Sequence, residues 1–262
     1  MLIDTHCHLD TYSKLELADI LEHMKNHVMI VSGVNDMTNH LVVDLCNQYD
    51  NIYGVVGIHP EEVDCVLEDA FTYMDSALKH PKIVGVGEIG LDYHYTKDNM
   101  EKQKELFVRQ IELAYKYQKA VVIHSREAIQ DTYDILYQYK DFNIPFVLHA
   151  YSGSVEMAKQ FLELGVTLGI GGVVTFKNAG KIKDVVESYP LSSFVLETDS
   201  PYLTPEPYRG KKNKPYYVLL AAEKIAEIKQ VTVEQVIKET SQKAIQTFGL
   251  PIDFQYIEER KM

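Results

Sequence analysis

No apolar stretch of this sequence approaches the roughly 18 consecutive residues that a membrane-spanning helix needs, so no such helix is expected. The opening MLIDTHCHLD puts charge and histidine where a secretory signal would need a basic start and an apolar centre, and a cytoplasmic location follows as an expectation. Cysteine is scarce. Cys7, Cys46 and Cys65 are odd in number and lack the paired spacing of a cysteine zinc site, which argues against a disulfide framework and makes all three reduced packing residues. Low-complexity and fibrous patterns are absent, and 46% hydrophobic with 24% charged residues is the composition of a globular chain. Positive charge is short as well. A net charge of -12 speaks against a broad basic surface wrapped by nucleic acid, because such binding draws its affinity from neutralised phosphates. Chemistry on DNA stays open, since the charge of a cleft need not follow that of the whole surface and metal ions would offset part of the acidity.

What the sequence does contain is alternation. Short β-branched runs, at roughly 1–6, 28–33, 52–58, 82–88, 119–124, 144–149, 166–171 and 193–198, alternate with longer amphipathic stretches such as 14–26, 98–118 and 154–164. In the second of these, Phe107, Ile111, Ala114 and Tyr115 recur at helical spacing. Helical segments at about 215–228 and 232–248 follow. Eight β-then-α units predict an α/β fold, a single (β/α)8 TIM-type barrel, which typically takes about 250 residues. One domain over 1–262 is expected, with no repeat and no linker.

Reactive groups of such barrels gather at the C-terminal ends of the strands. Of ten histidines, five fall at or just beyond a strand end: His6, His8, His59, His124 and His149. His6 and His8 are two apart on the first strand, so they share a face and can reach one ion, while Cys7 faces the other way. Glu88 ends the fourth strand in GVGEIGLDY, and a carboxylate after an apolar strand calls for a cationic partner because desolvating it alone is costly. Asp199 follows the eighth strand in FVLETDSP. Together His6, His8, Glu88, His124, His149 and Asp199 form a mixed imidazole and carboxylate set large enough for two divalent ions, of zinc, manganese or magnesium type. Paired ions of this kind activate water and clamp both oxygens of a phosphate under attack, which is phosphodiesterase chemistry.

The loop SPYLTPEPYRGKKNKPYY gathers Arg209, Lys211, Lys212 and Lys214, the densest basic cluster of the chain. A guanidinium there could fork onto a phosphate and the tyrosines could stack on bases; the alternative is a solvated basic loop. Arg209, Lys211 and Asn213 from this loop, with His59 in GIHPEE, are the candidate substrate contacts, although His59 is equally readable as structural. Arg126 and Glu127 either shape the mouth or cap the next helix, and Gly169, Gly171 and Gly172 read as a tight turn without chemistry.

The ordered series DTHCHLD (4–10), GIHP (57–60), GEIGLDY (87–93), VIHSRE (122–127), HAYSGS (149–154), ETDSPYL (197–203) and RGKKNKP (209–215) resembles the TatD-type metal-dependent deoxyribonucleases over nearly the whole chain. The resemblance implies that the six residues are metal ligands, that Glu88 bridges two ions, that Asp199 also accepts the proton of the attacking water, and that DNA is cut, with exonuclease action favoured. Ala150 and Tyr151 depart from the family's cysteine and phenylalanine, which touches packing more than ligation. Lys214 stands where an acidic residue is usual, leaving the substrate contacts of that loop open while making it more favourable to phosphate. Two rival readings differ in one feature each. An amidohydrolase acting on C–N bonds of a small cyclic substrate commonly bridges its ions with a modified lysine after the fourth strand, where this chain has Glu88. A non-catalytic nucleic-acid-binding barrel would show a broken ligand set, and none of the six residues is missing. The implied partner is DNA or another phosphodiester, with no membrane and no obligate protein partner.

Overall fold

A computed structural model describes residues 1–252; the last ten residues of the expected 1–262 domain lie outside it. Eight strands form one sheet in the order of the chain, each parallel to the next: β1 (Ile3–Cys7), β2 (Val28–Ser32), β3 (Ile52–Val56), β4 (Ile83–Asp92), β5 (Ala120–Arg126), β6 (Phe146–Leu148), β7 (Thr167–Ile170) and β8 (Phe194–Leu196). The ring closes where the chain beyond β8 returns to β1. The amide of Asp199 donates to the His6 carbonyl at 2.9 Å, and that of His8 to the Ser200 carbonyl at 2.7 Å. Parallel neighbours demand crossover connections, supplied by α1 (Lys14–Met24), α2 (Asp36–Gln48), α3 (Ala70–Ala77), α4 (Met100–Tyr117), α5 (Ile129–Gln138), α6 (Val155–Glu163) and α7 (Gly180–Ser188). Helices α8 (Val218–Lys229) and α9 (Val233–Phe248) complete the chain. The expected barrel is therefore the observed one.

Local chemistry starts the first two helices. Ser13 and Glu16 exchange hydrogen bonds in a capping box at α1, and Asn35 does the same with Thr38 at α2. On α4, Phe107, Ile111 and Ala114 are fully buried as their spacing predicts. Tyr115 is 44% exposed, which corrects its place in that stripe: it lies at the edge of the apolar face, against Phe142. Cys65 is likewise exposed rather than a packing residue.

Two apolar layers hold the barrel. Met29, Val31, Val56, Val86 and Ile123 pack outward against Ile20, Val42, Phe107, Phe161 and Ile225 of the helices. A smaller cluster joins Ile3, Ile30, Val55, Val84, Val122, Val147 and Val195, from every strand but β7, to Ala244, Phe248 and Leu250 at the end of α9. The last helix thus packs against the interior set, leaving the mouth at the C-terminal strand ends to polar groups. Two strands switch faces on the way there. Asp4 to Cys7 spans three steps against two from Met29 to Val31, and Val86 to Ile89 three against two from Val121 to Ile123. Such an extra residue re-aims the side chains beside it, and it falls next to His6 in one case and Glu88 in the other.

Candidate metal centre

Six strand ends deliver the candidate side chains: His6 and His8 from β1, His59 after β3, Glu88 within β4, His124 within β5, His149 directly after β6 and Asp199 after β8. The structure brings all seven together around the Glu88 carboxylate, which is 5% exposed. Its two oxygens face different partners. Oε2 lies 3.2 Å from Nε2 of His6 and 3.4 Å from Nε2 of His8, whereas Oε1 lies 2.9 Å from Nδ1 of His124, 2.9 Å from Nε2 of His149 and 3.5 Å from Nε2 of His59. Asp199 Oδ1 joins the first side, 3.7 Å from His6 and 3.6 Å from His8. Ligand atoms within reach of a common ion form the trios His6, His8, Glu88; His6, His149, Asp199; and His59, Glu88, His124.

Outer hydrogen bonds decide which ring nitrogens carry lone pairs toward this centre. His8 Nδ1 is 3.1 Å from the Ser32 carbonyl, an acceptor only, so Nδ1 holds a proton, and Nε2 is the atom that offers a lone pair to the centre once it gives up its own. His124 Nε2 donates to Asp92 Oδ2 at 2.9 Å, which turns the Nδ1 lone pair inward, the arrangement of a carboxylate-backed metal histidine. His59 is the opposite case: its Nδ1 accepts the Glu61 amide, so the neutral ring presents an N–H at Nε2 and is a donor rather than a ligand. His6 and His8 bring their Nε2 atoms to 3.2 Å of each other, a spacing that a shared cation or proton makes tolerable.

The charge balance points the same way. Glu88, Asp92, Glu197 and Asp199 surround the rings, and among the described residues no lysine or arginine forms a salt bridge to any of them. Burial works against ionising His8, but the hydrogen bonds and charges of Asp199 and Glu88 prevail and push it up to about 10. Burial, then His149, pulls His6 down to about 4. Burial would raise Glu88, yet the surrounding imidazoles, His149 and His6 foremost, hold it well below the usual carboxylate range. Buried carboxylates without lysine or arginine partners, with imidazoles acting as makeshift cations, form a donor set that fits divalent metal ions. His149 Nδ1 and Glu197 Oε2, both buried without a hydrogen-bond partner among the described residues, border that set.

Four contributors escaped the sequence reading. Asp92 did so because β4 runs four residues past the expected end at Glu88, and its signal was its spacing, four residues beyond Glu88 on one strand. Ser32 orients His6 and His8 through its hydroxyl and carbonyl. Asp4 accepts from the Thr198 amide at 2.9 Å and the Thr198 hydroxyl at 2.6 Å, tying β1 to the segment that carries Asp199. Glu197 accepts the Ala150 amide at 2.5 Å with Oε1 3.8 Å from His149 Nδ1, and burial raises it to about 7. Gly169 lets that carboxylate in: a Cβ there would stand 2.2 Å from Oε2, so close approach rather than a turn explains this glycine.

The basic loop divides. Lys212 is bound to Thr11 and Glu16, and Lys214 donates to Asp19 at 2.8 Å, so its charge is consumed at α1 and does not make the loop more favourable to phosphate. Asn213 is fully buried. Its amide donates to the carbonyls of Thr198 and Tyr202 and its oxygen accepts the Lys214 amide, which makes it the fastening of the loop and corrects its reading as a substrate contact. Arg209 and Lys211 remain exposed, stacked over Phe176 and Tyr208.

A family model described as TatD related DNase matches residues 3–249. The chain belongs to that family. An uncharacterized metal-dependent hydrolase YabD of Bacillus subtilis is 36% identical over 254 residues, 95% of this chain and 100% of that one. An uncharacterized metal-dependent hydrolase YcfH of Escherichia coli is 33% identical over 258 residues, 95% of this chain and 96% of its own. The crystal structure of YJJV, a TatD homolog from Escherichia coli, superposes with a TM-score of 0.87 at 28% identity, covering 95% of this chain and 98% of the other. A hydrolase TatD family protein from Entamoeba histolytica shares the fold with a TM-score of 0.82 at 17% identity, covering 94% and 97%. This TatD family member is thus a metal-dependent hydrolase of TIM-barrel fold, and among its described residues no helix is long and apolar enough to cross a membrane.

Proposed function

We propose that this TatD family hydrolase cuts phosphodiester bonds of DNA from a strand end, with His6, His8, Glu88, His124, His149 and Asp199 holding two divalent ions. The observation that carries the reading is the division of Glu88, one oxygen toward His6 and His8 and the other toward His124 and His149. Ions bound there supply Lewis acidity and an activated water for attack at phosphorus. The chain's own residues do the rest. Asp199, held ionised by His8, His149 and His6 against the effect of burial, accepts the proton that the attacking water gives up. His59 Nε2–H, unable to ligate as a neutral ring, donates to a phosphate or leaving oxygen. Arg209 and Lys211 contact the substrate backbone from the loop that Asn213 fastens. In the same reading the protein acts in the cytoplasm without an obligate protein partner.

A substrate screen tests this. Metal-loaded protein is offered linear and circular single-stranded DNA, RNA of the same sequence, bis-p-nitrophenyl phosphate and a cyclic amide. Cleavage of linear DNA with circular DNA spared is expected. Hydrolysis of the cyclic amide alone would replace the reading with amidohydrolase chemistry.

A further inference from the structure

The mouth of the barrel carries a cationic and aromatic pair that the hydrolytic reading does not use. Arg126 ends β5 two residues beyond His124, and side chains two apart share a face, so it stands above the cluster on the same side of the strand. Its guanidinium lies over Tyr95, with Cζ 5.3 Å from the ring centroid and Nη1 3.5 Å from the hydroxyl oxygen. Arg126 is exposed and forms no salt bridge among the described residues, although the chain carries a net charge of -12. The nearby carboxylates are engaged elsewhere: Asp92 with His124 and the His94 amide, Glu127 with His94. Tyr95 is 68% exposed even with the guanidinium over it, and a cavity of about 140 Å³ lined by Tyr95, Asp92, Thr96 and Asn99 among others opens beside it.

A stacked arginine alone signifies little, since Arg109 lies on Phe71 from α4, outside the barrel. Position distinguishes Arg126. A second pair, Arg209 over Phe176 at 4.2 Å, also lacks a salt bridge among the described residues and stands after β8 and β7, while Tyr95 and Arg126 stand after β4 and at the end of β5. Around the ring β6 separates the two pairs on one side and β1 to β3 on the other, with the histidine cluster at the mouth between them.

We propose that Arg126 and Tyr95 form a subsite for single-stranded DNA beside the scissile phosphate, resting on the DNA reading above. The planar guanidinium forks onto a neighbouring backbone phosphate, a geometry that an ammonium does not offer. Tyr95 stacks the adjoining base, which selects an unpaired strand because the faces of duplex bases are covered by their neighbours. Arg209 holds the strand on the far side, so the substrate crosses the metal centre between two arginines.

The test compares metal-loaded parent, Arg126→Ala, Arg126→Lys, Tyr95→Leu and, as a remote exposed control of equal charge change, Lys159→Ala. Each is assayed on a labelled 12-nucleotide single strand over a range of KCl and on bis-p-nitrophenyl phosphate, which is too small to reach the subsite. Arg126→Ala is expected to lower the ratio of oligonucleotide to small-substrate kcat/KM at least 10-fold. It should also flatten the dependence of log kcat/KM on log salt by about 0.7, the loss of one phosphate contact. Arg126→Lys restores the salt slope without the full ratio, Tyr95→Leu lowers the ratio roughly 5-fold or more, and Lys159→Ala matches the parent. A parental ratio and slope in Arg126→Ala, with the oligonucleotide still cut, overturns the subsite alone. Failure of the parent to cut the oligonucleotide while it hydrolyses the small diester overturns the DNA reading and the subsite with it.

Discussion

Asparagine in place of Asp199 separates ligation from proton transfer. Of the four carboxylates around the cluster, Asp199 has the widest route to solvent: its side chain is 14% exposed, against 5% for Glu88 and 1% for Asp92 and Glu197. A base that must pass its proton to bulk water needs that route. Asp199 also sits at φ 53, a left-handed conformation that asparagine tolerates and most other residues do not, so the variant should keep the backbone. Only charge and basicity are removed, which for a general base is typically worth 100-fold to 10,000-fold, or about 2.7 to 5.5 kcal/mol. Asp199→Asn is therefore expected to fold, to retain most of its metal by elemental analysis, to keep its KM for DNA within a few-fold, and to lose at least about 100-fold in kcat. The sign of the pH effect follows from the direction of the shift. Because the carboxylate is held below its usual range, the base is available at neutral pH, and the parent's rate falls on acidification as the carboxylate and imidazoles take up protons as one coupled system. Turnover by the asparagine variant within a few-fold of the parent at saturating metal would refute the assignment of Asp199 as the base.

Three further outcomes follow from the same geometry. Glu88→Ala removes the carboxylate shared by both histidine groups and should lower metal content together with rate; an unchanged metal load by elemental analysis would show that Glu88 is no ligand. Glu197→Gln keeps an acceptor for the Ala150 amide but removes the charge beside His149, so metal affinity should weaken by about 10-fold to 100-fold with the thermal midpoint nearly kept; parental affinity in a chelator competition would count against that role. Asn213→Ala unfastens three hydrogen bonds of the loop bearing Arg209 and Lys211, and should cost about 1–3 kcal/mol in urea unfolding while raising KM for DNA more than it lowers kcat; unchanged stability would contradict the fastening.

The barrel was legible because its signals are local and repeated: eight β-branched runs, each followed by a helical stripe, leave little choice of topology. The core of the site was legible because ligand-type residues recur at the strand ends. What escaped depends on contacts between distant segments. Asp92 supports His124 across two strands, Asp4 reaches Thr198 around the closure of the barrel, and the extra residues in β1 and β4 that aim His6 and Glu88 leave no mark in a period-two pattern. Lys214 and Asn213 were misread for a related reason: composition gives a residue's charge or polarity, whereas its partners, Asp19 and the loop carbonyls, decide whether that chemistry is free for a substrate.

If the set of His6, His8, Glu88, His124, His149 and Asp199 would hold two divalent ions and these would supply the chemistry of DNA hydrolysis, as proposed, activity must follow bound metal. Metal-stripped protein titrated with manganese or magnesium, with bound metal and cleavage of labelled linear DNA followed on the same samples, tests it most directly. The expected result is no cleavage after stripping and a rise in rate that levels off as metal approaches two ions per chain. Undiminished cleavage by the stripped protein, or a plateau without bound metal, would contradict it.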